Sequence, residues 1–158
     1  MKVLIIYDSV FGNTEQIANA MGQAVGSAAE VQVKRIDSVD AQELNGLDLL
    51  IVGSPTRGFR PTEPITQFLK GLPQNSLKGI KTAAFDTRVS VQDVNNAILS
   101  FMVKIFGYAA EPINKGLLRK GGIQSAEPQG YVVKESEGPL KEGELERAAS
   151  WATSLVKA

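Results

Sequence analysis

The stretch Asp8-Ser9-Val10-Phe11-Gly12-Asn13-Thr14 sets two side-chain hydroxyls, a carboxamide and a glycine between an apolar run and the start of a helical pattern. Main-chain N–H groups at a helix N-terminus favour an anion, because they lack intrahelical acceptors and stand at the positive end of the helix dipole. Hydroxyl and amide donors add hydrogen bonds there without adding charge. The combination suits a phosphate monoester. Ser, Asn and Thr are also common N-caps. A cluster of them around a glycine, directly after a buried strand, points to a ligand rather than to a single cap. Neither Gly-x-x-x-x-Gly-Lys-Ser/Thr nor Gly-x-Gly-x-x-Gly occurs, which argues against ATP and the dinucleotides as the tight ligand.

Two other stretches stand where a second wall could form, since ligands of open α/β sheets bind beyond the carboxyl ends of the strands. One is Ser54-Pro55-Thr56-Arg57-Gly58-Phe59-Arg60-Pro61-Thr62, the other Asp86-Thr87-Arg88-Val89-Ser90. Gly58 lets the backbone come close to a flat ligand, with Thr56 beside it. Phe59 lies outside any periodic face, so it is expected to stack on a ring or stay exposed.

The elements that carry these loops follow from hydrophobic periodicity. Val3 to Tyr7, Leu47 to Val52 and Ile80 to Phe85 are apolar on both faces, as buried parallel strands are. Val31 and Val33, with Ile36, alternate with polar residues and predict an edge strand. Ile123 to Ala126 and Tyr131 to Val133 supply the last strand region. Helical spacing joins Ile17, Ala20, Met21, Ala24 and Val25, and again Ile65, Phe68, Leu69 and Leu72 behind Pro64. It also joins Val94, Ile98, Phe101, Met102 and Ile105, and lastly Leu145, Ala148, Ala149, Ala152, Leu155 and Val156. A short helix is expected within 109–120, closed by Gly121-Gly122, and Pro128 to Gly143 reads as a surface loop. Repeated βα units predict a parallel sheet covered on both faces, in one domain over residues 1–158.

Composition narrows the chemistry. The chain contains neither His nor Cys, so the usual general base, thiol nucleophile and commonest metal ligands are missing, and no metal site is expected. Lys plus Arg and Asp plus Glu are 17 each, which gives no electrostatic footprint for nucleic acid. No run is long enough for a membrane span or a secretory leader, so a cytoplasmic location is expected. Redox or group-transfer chemistry on this chain would fall to a bound cofactor.

Residues Ile5 to Met21 resemble the flavodoxin signature: two aliphatics, an aromatic, x, Ser/Thr, two of any type, a small residue, x, Thr, three of any type, Ala, two of any type, an aliphatic. Every specified place is filled, with Met21 as the last aliphatic. The likeness extends over the whole chain and leaves no room for the insertion of long-chain members. It implies an α/β, flavodoxin-like three-layer sandwich with a five-stranded parallel sheet of order 2-1-3-4-5, and FMN at its switch point. Carried over, Ser9, Val10, Phe11, Gly12, Asn13 and Thr14 hold the FMN phosphate by side chain or backbone N–H. Pro55, Thr56, Arg57, Gly58 and Phe59, with Asp86, Thr87 and Arg88, flank the isoalloxazine ring. One departure stands out. Typical members bring an aromatic residue from the loop after strand four to the outer ring face, but none occurs between Phe85 and Phe101.

A second departure is charge. Typical flavodoxins are strongly acidic, whereas this chain is neutral and carries Arg57, Arg60 and Arg88 in the ring-side loops. One cation about 5 Å from a negatively charged reduced ring contributes about 3 kcal/mol at an effective dielectric of about 20. The expectation is therefore a less strongly reducing flavin. The same arginines suit an acidic partner or the phosphate of a pyridine nucleotide.

The resemblance implies an FMN-dependent electron carrier that needs no catalytic side chain and serves redox partner proteins or a small-molecule acceptor, as a monomer or weak dimer. The alternative is an FMN-dependent NAD(P)H–quinone-type reductase on the same fold, which the run Ser54-Pro55-Thr56-Arg57 also resembles. Whether the chain is an enzyme stays open, with the carrier favoured. A phosphorylated receiver domain fits poorly, since Asp8 stands alone and the third strand ends in Gly53-Ser54.

Overall fold

In the computed structural model, which describes residues 1–89 and 97–158, the aliphatic runs form strands and the amphipathic segments between them form helices. The order is β1 (Lys2–Tyr7), α1 (Asn13–Val25), β2 (Glu30–Arg35), β3 (Leu49–Pro55), α2 (Glu63–Gly71), β4 (Lys81–Val89), α3 (Ala97–Phe106), α4 (Ala110–Arg119), β5 (Ile123–Gln124), β6 (Gln129–Val133) and α5 (Glu144–Lys157). All strand pairs are parallel, in the order β2-β1-β3-β4, and both β5 and β6 pair with the far edge of β4. The sheet thus has the expected order 2-1-3-4-5, with its fifth position divided into β5 and β6.

The strands feed two cores. Val3, Ile5 and Tyr7 face α1 and α5, where Ile17, Met21, Ala148 and Leu155 are buried. Leu4 and Ile6 face α2 and α4, where Ile65, Leu69, Ile113 and Leu117 are buried. Each fully buried aliphatic side chain contributes about 1.5–3 kcal/mol relative to exposure, so the three layers clamp the ends of β1, β3 and β4 at a fixed spacing. Gly121 N–H donates to Leu118 O (3.0 Å) and Gly122 N–H to Leu117 O (3.1 Å), closing α4 as the double glycine predicts.

Three expectations change. The fourth strand continues past Phe85 to Val89, so Asp86, Thr87 and Arg88 are strand residues rather than loop residues. Ladder partners on both sides hold them there: Ser54 and Pro55 on β3, and Gly130, Tyr131 and Val132 on β6. Part of the stretch read as a surface loop is strand β6, which starts at Gln129. Finally, Ile98 and Phe101 of α3 are 76% and 62% exposed rather than inward-facing. That helix is apolar on nearly every side, so spacing alone could not select its inner face. Val94 and Ser90, and the side chain of Ile105, lie outside the described residues.

Candidate functional site

The first wall is the turn between β1 and α1. Gly12 is the N-cap of α1, in the left-handed region at φ 91°, and no side chain caps the helix. The polar side chains nearby bond to groups other than the N–H groups of the first helical turn. Ser9 Oγ accepts from Gly12 N–H at 3.0 Å. Asn13 Nδ2 donates to Glu137 O at 3.1 Å. The Thr14 and Thr87 hydroxyls pair at 2.8 Å. The capping explanation for this cluster therefore fails, and the first-turn N–H groups keep their capacity for an anion. Below the turn, the buried Asp8 carboxylate accepts from Ser9 N–H (2.9 Å), Thr62 Oγ1 (2.5 Å) and Arg35 Nη2 (3.3 Å), while Arg35 also donates to Ser9 O (2.7 Å). These bonds tie the turn to β2 and to the loop after β3.

The second wall starts at the end of β3. Thr56 N–H donates to Thr87 O at 2.9 Å, and Arg57 and Arg60 exchange backbone bonds of 2.8 and 3.2 Å. The two residues between them, Gly58 and Phe59, have φ of 55° and 68°, the geometry of a type I′ hairpin turn. For Phe59 that conformation costs about 1–2 kcal/mol, since a side chain in the left-handed region crowds its own carbonyl. Arg57 lies over the Phe11 ring, 5.5 Å from its centroid, joining the second wall to the first.

The third wall is the end of β4. Thr87 points to α1, as its bond to Thr14 shows. On the other face Asp86 is fully buried and receives Arg88 through two bonds of 2.7 Å, plus Ala110 N–H at 2.9 Å. Burial pushes the Asp86 carboxyl up from its ordinary range, and the Arg88 guanidinium and the Ala110 N–H oppose that shift. The guanidinium lies 3.7 Å from the Tyr108 ring centroid. It also occupies the space above Gly130, where a Cβ would come within 2.1 Å of it. Arg88 is therefore a paired cation folded back over the sheet.

These walls enclose a cleft of about 320 Å³. It brings together Ser9, Val10, Phe11, Asn13 and Thr14 with Pro55, Thr56, Arg57, Gly58, Thr87 and Arg88. Of the other sequence-derived residues, Gly12 shapes the turn and Asp86 sits behind Arg88. Phe59 lines an adjoining cleft of about 270 Å³, with Val103 and Tyr108, that shares Thr56, Gly58 and Val89 with the first. The sequence reading missed Val89, Val133 and Ser136 as lining residues. The rule that ligands sit beyond strand carboxyl ends points to the last two as well, because they end and follow β6.

A family profile for the flavodoxin domain matches residues 4–122. The chain belongs to the flavodoxin family. The flavodoxin of Aquifex aeolicus is 26% identical over 168 residues, covering 98% of this chain and 89% of that one. The flavodoxin of Clostridium saccharobutylicum is 24% identical and covers 94% of this chain and 91% of its own length. Among solved structures, oxidised Flavodoxin 1 from Bacillus cereus shares the fold with a TM-score of 0.77 at 21% identity, covering 99% of this chain and 98% of that one. As a flavodoxin, the protein is an FMN-binding electron-transfer protein that passes electrons to redox partners. Its cleft has the chemistry such a group needs: an uncapped helix start beside neutral donors suits an anion, and two adjoining clefts that share Thr56, Gly58 and Val89 give room for a flat ring system. Among the described residues, no helix is long and apolar enough to cross a membrane.

Proposed function

We propose that the cleft beyond β1, β3 and β4 is the FMN site and that residues 1–158 work as one electron-carrier unit. FMN, when bound, supplies the redox chemistry; the chain binds it, orients it and controls access to its edge. Ser9, Val10, Phe11, Gly12, Asn13 and Thr14 form the phosphate turn, its donors being chiefly the backbone N–H groups other than those of Ser9 and Gly12, which already donate to Asp8 Oδ1 and Ser9 Oγ. Pro55, Thr56, Arg57 and Gly58 form one ring-side wall, and Thr87 and Arg88 the other. Phe59 serves from the adjoining cleft, which Tyr108 also lines, and Asp86 serves by holding Arg88. The observation that carries this reading is the N-terminus of α1, where none of the three polar side chains beside it accepts from a first-turn N–H group.

Pairing with Asp86 removes most of the field that Arg88 would exert on a ring, so Arg57 and Arg60, both exposed, carry the electrostatic difference from acidic flavodoxins. They favour an acidic redox protein, or an anionic small-molecule acceptor, as partner. The carrier acts in the cytoplasm as a monomer or weak dimer and has no nucleic-acid role.

Titration of the flavin-free protein with FMN, followed by quenching of flavin fluorescence, tests the proposal. One tight site per chain is expected, with riboflavin bound more than about tenfold more weakly because it lacks the phosphate. Equal affinity for the two flavins would overturn the placement of the phosphate on α1. Rapid bleaching of the loaded protein by NAD(P)H alone would replace the carrier with the reductase.

A further inference from the structure

We propose that the hairpin after β6 is a fourth wall of the flavin site, and that Ser136 at its tip binds the phosphate end of FMN; this rests on the FMN reading above. Val133 and Leu140 form an antiparallel bridge. Lys134 N–H donates to Pro139 O at 2.9 Å, and Lys141 N–H to Val132 O at 2.8 Å. Gly138 N–H donates to Glu135 O at 2.9 Å, which closes a four-residue turn through Ser136 and Glu137. The segment is thus a built hairpin, with its own hydrogen bonds.

Its position is fixed by the first wall. Asn13 Nδ2 donates to Glu137 O, across 124 residues of sequence. Gly138, at φ 110°, lies so close to Asn13 that a Cβ there would stand 2.7 Å from Asn13 Oδ1. The positive φ and that close approach both favour a residue without a side chain. The carboxamide of Asn13 is therefore committed to the hairpin, and in return the hairpin brings Ser136 into the same cleft as Ser9, Asn13 and Thr14. Since Asn13 is in the first turn of α1, Ser136 arrives at the anion end of the cleft and not at the ring end. Ser136 offers a neutral hydroxyl, like Ser9 and Thr14, and it does so between the exposed Glu135 and Glu137 with Lys134 beside them, so its contribution to a dianion is a hydrogen bond and not a charge.

The test compares dissociation constants for FMN and riboflavin, by fluorescence quenching, in the unsubstituted chain, Ser136→Ala and Gly138→Ala. Ser136 is exposed, so its substitution leaves the fold intact, which the urea midpoint checks. Ser136→Ala is expected to weaken FMN about tenfold and riboflavin by less than about twofold, the effect of one hydrogen bond to a charged group. Gly138→Ala, which strains the turn at φ 110° and disturbs its contact with the Asn13 carboxamide, is expected to weaken FMN with the same selectivity. Unchanged FMN affinity in Ser136→Ala overturns the proposal. So does an equal loss for both flavins, which would place the hairpin at the ring or ribityl region. A failure of the unsubstituted chain to bind FMN overturns the underlying site reading and this inference with it.

Discussion

Replacing Arg88 with Ala would strand one of the most deeply placed charges in the molecule. Asp86 has no exposed surface, and two bonds of 2.7 Å from Arg88 are its main compensation; the Ala110 N–H remains. Removing one member of a buried ion pair costs about 3–5 kcal/mol, because the other charge is left without a partner. Loss of the stacking on Tyr108 at 3.7 Å adds about 1 kcal/mol. A total near 5 kcal/mol corresponds to a fall in Tm of about 10–20 °C in a domain of this size. The loss has a pH signature. In the variant, burial without Arg88 raises the folded-state pKa of Asp86 above the unfolded value of about 3.9. The folded state then holds its proton more tightly, so the variant is least impaired in acid and loses stability as pH rises, until Asp86 is fully ionised. Urea unfolding of the flavin-free Arg88→Ala protein at pH 5 and pH 8 measures this, and the Asp86→Asn/Arg88→Ala double variant should recover most of the loss. An Arg88→Ala protein within about 1 kcal/mol of the parent at pH 8, or a deficit that shrinks as pH rises, would refute the argument.

Arg57→Glu should lower the reduction potential of the bound flavin by some tens of millivolts, with the shift fading as salt is raised, because an exposed charge acts through a wet, screened medium; redox titration at two ionic strengths checks both statements. Thr87→Val leaves the buried Thr14 hydroxyl without its 2.8 Å partner and should cost about 1–3 kcal/mol in urea unfolding. At the start of α5, burial would raise the Glu144 carboxyl, but Arg147 and Val132 N–H outweigh it and hold the group below its usual range. A depressed folded-state pKa gives stability above the unfolded value of about 4.3 that disappears as pH falls. Glu144→Gln should therefore flatten the acid limb of the stability profile in urea melts taken from pH 7 to pH 3.

Much of this was legible in the sequence, for identifiable reasons. The sheet was visible because β1, β3 and β4 must be apolar on both faces, and their order followed from the resemblance around Ser9 to Thr14. The first wall was visible because its donors are contiguous. The remainder depends on contacts that neighbouring residues do not announce. Asp86 and Arg88 are charged, and charges after an apolar run look like the start of a loop. Their place on β4 is set by ladder partners on β3 and β6, and the Arg88 guanidinium by Tyr108, all distant in sequence. Ser136 reaches the cleft only because Asn13 and Glu137 meet across 124 positions. The left-handed Phe59 was hidden as well, since type I′ turns usually show Asn or Gly at both central positions and this one shows Gly58 alone. Ile98 and Phe101 were misplaced because a helix apolar all round carries no directional information.

A sheet that is greasy on both sides has a weakness: sliding one strand by a residue exchanges its two sets of side chains without exposing either to water. Hydrophobicity alone cannot forbid that error here, since Val3, Ile5 and Tyr7 could trade places with Leu4 and Ile6. The polar ends of the strands can. A slipped β1 would misalign Asp8 with Arg35 and Thr62, and a slipped β4 would separate Thr87 from Thr14 and from the amide of Thr56. Groups gathered at the mouth of the cleft therefore also index the alignment of the chain during folding. Substitutions there should be judged for misfolding as well as for lost ligand.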